Sequence, residues 1–208
     1  METLMRNATL VLAATLVTAP FAAPSVLGAQ STGTPVYQAP YRAFTQSEVG
    51  LSLSDPGRGF ALEGSYRSAF NRKLDLSFRG GLADGGRGGS TQLLFGTDLR
   101  GRVLDHNESF PLDGSFTVGV GMATGDGFTT GFLPIGFSMG RRVLIEGSSA
   151  SFVPYLHPVL TPRFGDGEGT DLSIGFGIDA KVNSRLDIRF SAGIGDRDGI
   201  AFTVAWVR

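Results

Sequence analysis

The chain has 208 residues, a formal net charge of −1 and no cysteine. A balance so near neutral argues against nucleic acid or any strongly charged macromolecule as partner, and the missing cysteine excludes both a disulfide scaffold and a thiolate metal site. The unusual figure is 31 glycines with no collagen period, which inside alternating segments points to a crowded or curved sheet.

Residues 1–29 read as a secretory signal peptide. Arg6 supplies a weak positive start, Leu10 to Phe21 an apolar core, and Leu27-Gly28-Ala29 a small-residue cleavage site before Gln30. A retained anchor is the competing reading, but the run falls short of the roughly 20 apolar residues a spanning helix needs. Residues 30–46, with isolated Val36, Tyr37 and Tyr41 among Ser, Thr, Gly and Pro, have no period and read as an N-terminal arm.

From Ser47 to Arg208 apolar residues fall at alternate positions, the period of a strand with one apolar face. Val49, Leu51 and Leu53 open the series, and Phe60, Leu62 and Tyr66 continue it. Leu74, Leu76, Phe78 and Leu82 lead to a glycine-rich turn at 84–89; Leu93, Phe95, Leu99 and Val103 follow. A fifth strand carries Phe116, Val118, Val120 and Met122, and a sixth Leu133, Ile135, Phe137 and Met139. A connection at 141–150 precedes a seventh from Phe152 to Phe164, where Pro154, Pro158 and Pro162 each remove a ladder donor and predict a bulged, edge-like or partly unpaired segment. Leu172 to Val182 is the eighth. The closing hairpin sets Leu186, Ile188, Phe190, Ala192 and Ile194 against Ile200, Phe202, Val204 and Trp206 across Gly-Asp-Arg-Asp-Gly. No window shows capped helical periodicity. Ten such strands predict an all-β, closed up-and-down antiparallel barrel, with eight strands as the variant.

Which face is inside decides between a soluble and a membrane barrel. Charged residues lie opposite the apolar row throughout: Glu48, Glu63, Arg67, Asp75, Arg79, Asp98, Arg100, Arg102, Asp171, Asp179, Lys181, Asp187 and Arg189. The rest of that face is Gly, Ala, Ser and Thr, and Lys73 and Lys181 are the only lysines, unlike the long guarding side chains of a solvated sheet. Small residues and balanced charges suit a narrow lumen, where the ions must pair. Glu63, Arg67, Asp75, Arg79, Asp98, Arg100, Asp179, Lys181, Asp187 and Arg189 are therefore the predicted lumen network, packing the bore. Tyr66, Phe116, Phe190, Phe202 and Trp206 are the predicted lipid-facing and girdle residues. Several runs have the roughly 9–11 residues that a tilted strand needs to cross the hydrocarbon.

The leader, the run of hairpins and the closing Ile200-Ala-Phe202-Thr-Val204-Ala-Trp206 resemble small bacterial outer-membrane β-barrel proteins, OmpA- or OmpW-like in general pattern. The resemblance covers roughly 47–208. It implies an outer-membrane location, the lipid bilayer and the outer-membrane assembly machinery as partners, and a structural, small-solute or surface-interaction role with no cofactor. Such proteins commonly end in an aromatic residue; here Val207 and Arg208 follow Trp206.

Catalysis and metal binding find little support. His106 sits in an Asp-His-Asn turn; His157, on the lumen face with Tyr155, is expected to bond Tyr, Asp or a backbone carbonyl, with no serine at a family-like spacing. The Asp84–Gly89 and Gly165–Gly169 loops read as polar hairpin tips, and Arg141-Arg142 as an ordinary strand-end pair. The rival readings are an exported lipocalin-like barrel around a small apolar ligand and a lipid-acting barrel enzyme centred on His157.

Overall fold

The computed structural model describes residues 31–57, 59–84 and 89–208. The leader reading of residues 1–29 and most of the glycine-rich turn at 84–89 lie outside them. Among the described residues there is no helix, and twelve strand segments form one sheet. They are β1 (Glu48–Asp55), β2 (Ala61–Ala69), β3 (Leu74–Asp84), β4 (Thr91–Leu104), β5 (Asp113–Gly125), β6 (Phe128–Phe132), β7 (Ile135–Gly140), β8 (Val143–Leu144), β9 (Ser151–Gly165), β10 (Gly169–Lys181), β11 (Leu186–Gly195) and β12 (Gly199–Val207).

Every neighbour pairs antiparallel. β6, β7 and β8 are consecutive pieces of one stave, with Pro134 at the first break, so the sheet is a closed barrel of ten staves. Closure joins the first strand to the last, from Glu48↔Val207 to Asp55↔Ile200. The end where β1 begins and β12 finishes also carries the turns at 70–73, 105–112 and 182–185 and the hairpin at 141–150; the remaining turns lie at the far end.

The strand alternation becomes an inside and an outside. Outward stand Leu51, Leu62, Phe78, Phe95, Val120, Phe176 and Ile200, all substantially exposed, while Ser52, Glu63, Ser77, Thr161 and Asp187 are enclosed. This is the reverse of a soluble barrel, in which the apolar row is buried and the polar row solvated.

One detail differs from the sequence reading, and another meets it on one edge alone. The connection at 141–150 contains β8, paired to Phe152 and Ser151. The proline-bearing segment is the longest strand of all, 15 residues, with an unbroken register to β10 from Lys181↔Ser151 to Gly169↔Arg163. Its weakness is confined to the other edge. Pro162 presents its carbonyl to the Leu133 amide, so by the two-residue period Pro154, Pro158 and Pro162 all turn their missing donors toward β6–β7. On that edge the ladder is interrupted between Gly136↔Val159 and Met139↔Leu156. In hydrogen exchange the amides of Met139, Leu156 and Leu160 should therefore exchange at least tenfold faster than those at the β4–β5 seam. Pro158→Val, which restores a donor on the apolar outer face, should slow them and add about 0.5–1.5 kcal/mol. Uniform exchange across the two seams would rule this out.

Candidate functional site: the filled bore

The arm of residues 31–46 does not lie outside the barrel. Ser31 to Pro40 are all buried: residues 31–35 form turns and bends, and 36–39 run along the lumen without joining a strand. A segment that makes no ladder must find other partners for its amides and carbonyls, and the lumen wall supplies them residue by residue. Near the terminal end the Ser115 hydroxyl donates to the Pro40 carbonyl, and Arg100 Nη1 donates to Ala39 O at 2.6 Å. At mid-height Ser138 Oγ donates to Gln38 O (2.5 Å), Tyr155 Oη to Tyr37 O (3.1 Å) and Ser191 Oγ to Pro35 O (2.9 Å). The Tyr37 amide donates to Ser191 Oγ at 3.3 Å. Toward the far end Tyr37 Oη donates to the Arg197 carbonyl (3.0 Å) and Thr34 Oγ1 to Glu63 Oε2 (2.6 Å).

The same path explains the glycines on the inner face. A β-carbon at Gly175 would fall 1.9 Å from the Tyr37 ring, and one at Gly121 would fall 1.8 Å from the Ser31 carbonyl oxygen. Small residues here clear a groove for the arm. The arm also supplies much of the apolar interior, since Tyr37 and Ala39 cluster with Val153, Tyr155 and Val159.

Around the arm runs a chain of ion pairs. Arg67 lies at its centre, 2.5 Å from Asp75, 2.9 Å from Asp98 and 3.9 Å from Glu48. Asp75 continues to Arg100 at 3.0 Å, and Glu48 to Arg189 at 2.8 Å. Arg189 in turn meets Asp187 at 2.6 Å and Asp179 at 3.6 Å. Of the predicted lumen set, Arg67, Asp75, Asp98, Arg100, Asp179, Asp187 and Arg189 are brought together. Glu63 and Arg79 stand apart toward the far end, 3.9 Å from each other. Lys181 joins no carboxylate among the described residues, and its ammonium lies 5.9 Å from the Phe44 ring centre. Glu48, on the lumen face by parity, is the bridge between the two halves of the cluster.

Other ions sit at the barrel ends. Arg163 contacts Asp171 at 2.7 Å, and Arg197, in the β11–β12 turn, contacts the same carboxylate. Burial pushes the Arg197 guanidinium down to about 10, with Asp171 pulling the other way. It stacks 5.2 Å over Phe132, part of a small apolar cluster with Ala61, Ala83, Leu94 and Ala123.

His157 is fully buried. Its Nε2 lies 2.8 Å from Thr117 Oγ1, and its Nδ1 accepts from the Gln38 amide at 3.3 Å, while Gln38 Nε2 donates to Asp98 at 2.7 Å. The partners are thus a threonine and the arm backbone, not the Tyr, Asp or carbonyl expected. An acceptor at Nδ1 fixes the neutral tautomer with its proton on Nε2, directed at Thr117. Among the described residues neither ring nitrogen meets a carboxylate, the partner that orients the histidine of a hydrolytic triad. The predicted outer residues Tyr66, Phe116, Phe190, Phe202 and Trp206 all stand on the outer surface, about 40–47% exposed. The outer face also holds a shallow cavity of about 670 Å³ lined by Phe78, Phe95, Val120, Met122 and Phe164. An apolar internal pocket, which the lipocalin-like alternative needs, is replaced by the arm.

No family model matches the chain, and no curated protein matches it. Solved structures do. A transmembrane β-barrel designed de novo is 13% identical at a TM-score of 0.41, covering 80% of this chain and 98% of its own. A bacterial polysaccharide outer-membrane secretin is 11% identical at 0.45, covering 81% and 67% respectively. The β domain of the Bordetella autotransporter BrkA is 13% identical at 0.48, covering 78% and 98%.

Proposed function

We propose that the chain is an outer-membrane β-barrel, exported by its leader and seated by the outer-membrane assembly machinery, whose bore is closed from within by its own arm. The reading rests on one observation above all: apolar side chains cover the outside of every stave while ion pairs and hydroxyls are enclosed. A sheet facing water would leave that outer row exposed at a cost of about 25 cal/mol per Å², whereas hydrocarbon accepts it and demands the satisfied, edge-free backbone that closure provides. The lumen network and the arm fill the bore, so the role is structural or one of surface interaction, with solute passage limited to states in which the arm has moved. The burial of His157, with both ring nitrogens held by Thr117 and the arm backbone, supports a non-enzymatic role. The general likeness to OmpA- and OmpW-type barrels belongs to this proposal.

Trp206 is the only tryptophan, and it stands on the outer face near the terminal rim. In vesicles containing brominated lipid its fluorescence should be quenched at least twofold relative to ordinary lipid. Unquenched emission, together with recovery of the protein from the periplasmic fraction without detergent, would reject the membrane reading in favour of a soluble barrel.

A further inference from the structure

The terminal end of the barrel holds a cavity of about 580 Å³ between the arm, the turn at 70–73 and the 141–150 hairpin. Its charge is one-sided. The carboxylates in its wall are Asp75 and Asp113, and both are engaged, Asp75 by Arg67 and Arg100, Asp113 by Arg102 at 2.5 Å and by His106 at 3.0 Å. Asp105 beside it is taken by Lys73 (2.9 Å) and Arg102 (2.8 Å); the Lys73 hydrogen bond, with Arg102, holds its carboxyl below the usual range. Four guanidinia of the lining, Arg42, Arg72, Arg141 and Arg142, have no carboxylate within 4 Å among the described residues.

These arginines are partly held in place. The Tyr41 ring is flanked by Arg102, 5.0 Å from its centre, and Arg142, 4.7 Å from it. Arg142 Nη2 donates to the Arg42 carbonyl at 3.1 Å, and Arg42 Nε donates to Phe44 O at 2.8 Å, while its Nη1 is buried without a partner. Guanidinia gathered without a carboxylate in direct contact repel one another and are stabilised by an anion that several forks can grip at once.

We propose that this vestibule is a binding site for a phosphoryl group, carried either by a small soluble molecule or by a lipid headgroup at the rim. A phosphoryl group offers up to two charges and three equivalent oxygens, which suits several arginines better than a carboxylate does. The volume of the vestibule admits a headgroup-sized body. Leu144, on the same hairpin as Arg141 and Arg142, is 74% exposed and gives an attached apolar stem a place to lie. Because Tyr41 and Arg42 belong to the arm, an occupied site also adds to the free energy that keeps the arm docked. The site does not depend on the membrane reading, since the charges would gather an anion in either setting.

The test uses the full mature chain in maltoside micelles, which carry no phosphate, titrated calorimetrically with inorganic phosphate. A parallel arm measures binding to vesicles of a phosphate-free galactolipid alone or mixed with phosphatidylglycerol. Both are repeated for Arg72→Glu/Arg141→Glu, two rim residues outside the Arg67 cluster, with circular dichroism verifying the barrel. Saturable phosphate binding weakened at least tenfold in the variant supports the site with a soluble donor. Binding seen only with phosphatidylglycerol, and lost equally in the variant, supports it with the lipid as donor. Absence of both, or binding that the folded variant retains at full strength, overturns the proposal.

Discussion

Removal of residues 31–44 should convert a silent protein into a conducting one. In planar bilayers the intact chain is expected to give no stable current steps, and the shortened chain to give discrete ones. The arm occupies the axis of the bore from Phe44 near the terminal rim to Thr34 beside Glu63, and it satisfies wall hydroxyls and guanidinia that would otherwise face water. Each such bond is worth about 0.5–1.5 kcal/mol net, so the shortened barrel should also unfold at a lower urea concentration. If the deletion prevents assembly, Gly175→Leu tests the same point from the wall: its β-carbon would lie 1.9 Å from the Tyr37 ring and must displace it. Steps of equal size from intact and altered chains, or silence from both altered chains once folded, would show that the arm does not close the bore.

The second large effect is expected at Arg67. Its guanidinium is nearly inaccessible and contacts Asp75 and Asp98 directly, with Glu48 just beyond. Removing one partner from a buried ionic cluster leaves the others uncompensated, at about 3–5 kcal/mol. Arg67→Met should therefore lower the unfolding free energy read from urea titration in micelles by that amount, while Arg67→Met/Asp98→Leu should cost less than the two single changes added together. A loss under about 1 kcal/mol for Arg67→Met would mean that water reaches the cluster and that these are surface-like pairs.

Much of the wall was legible in the sequence because a strand repeats every two residues. Ile188, Phe190 and Phe202 declare one face, Asp187 and Arg189 the other, and a ten-fold run of such segments closes into a barrel. Pairing inside the lumen was less legible, since parity puts a residue on a face without giving its height. Lys181 and Glu63 share parity with Arg67, yet lie at opposite ends of the barrel and outside its cluster. The placement of the arm was not legible at all. Residues 31–46 have no period because their contacts are made one at a time with strands and turns up to 160 positions away, as in Tyr37 to Arg197. The available signal was indirect: glycine at 121, 175 and 193 leaves a volume that no side chain of the wall fills. The role of Pro154, Pro158 and Pro162 was half legible, because the count of missing donors is local but the edge they face depends on register.

The enclosed arm also bears on why the barrel has ten staves. Eight strands make an interior that wall side chains alone fill; two more widen it, and here the added room holds the buried residues 31–40. The partners of that chain come from both halves of the sequence, Glu63, Asp98 and Ser115 from one and His157, Ser191 and Arg197 from the other. The arm thus acts as a mandrel, a core about which the sheet is wound. A wall closed at a narrower circumference would leave the arm no room, so the seam at which Glu48 meets Val207 and the seating of the arm go together.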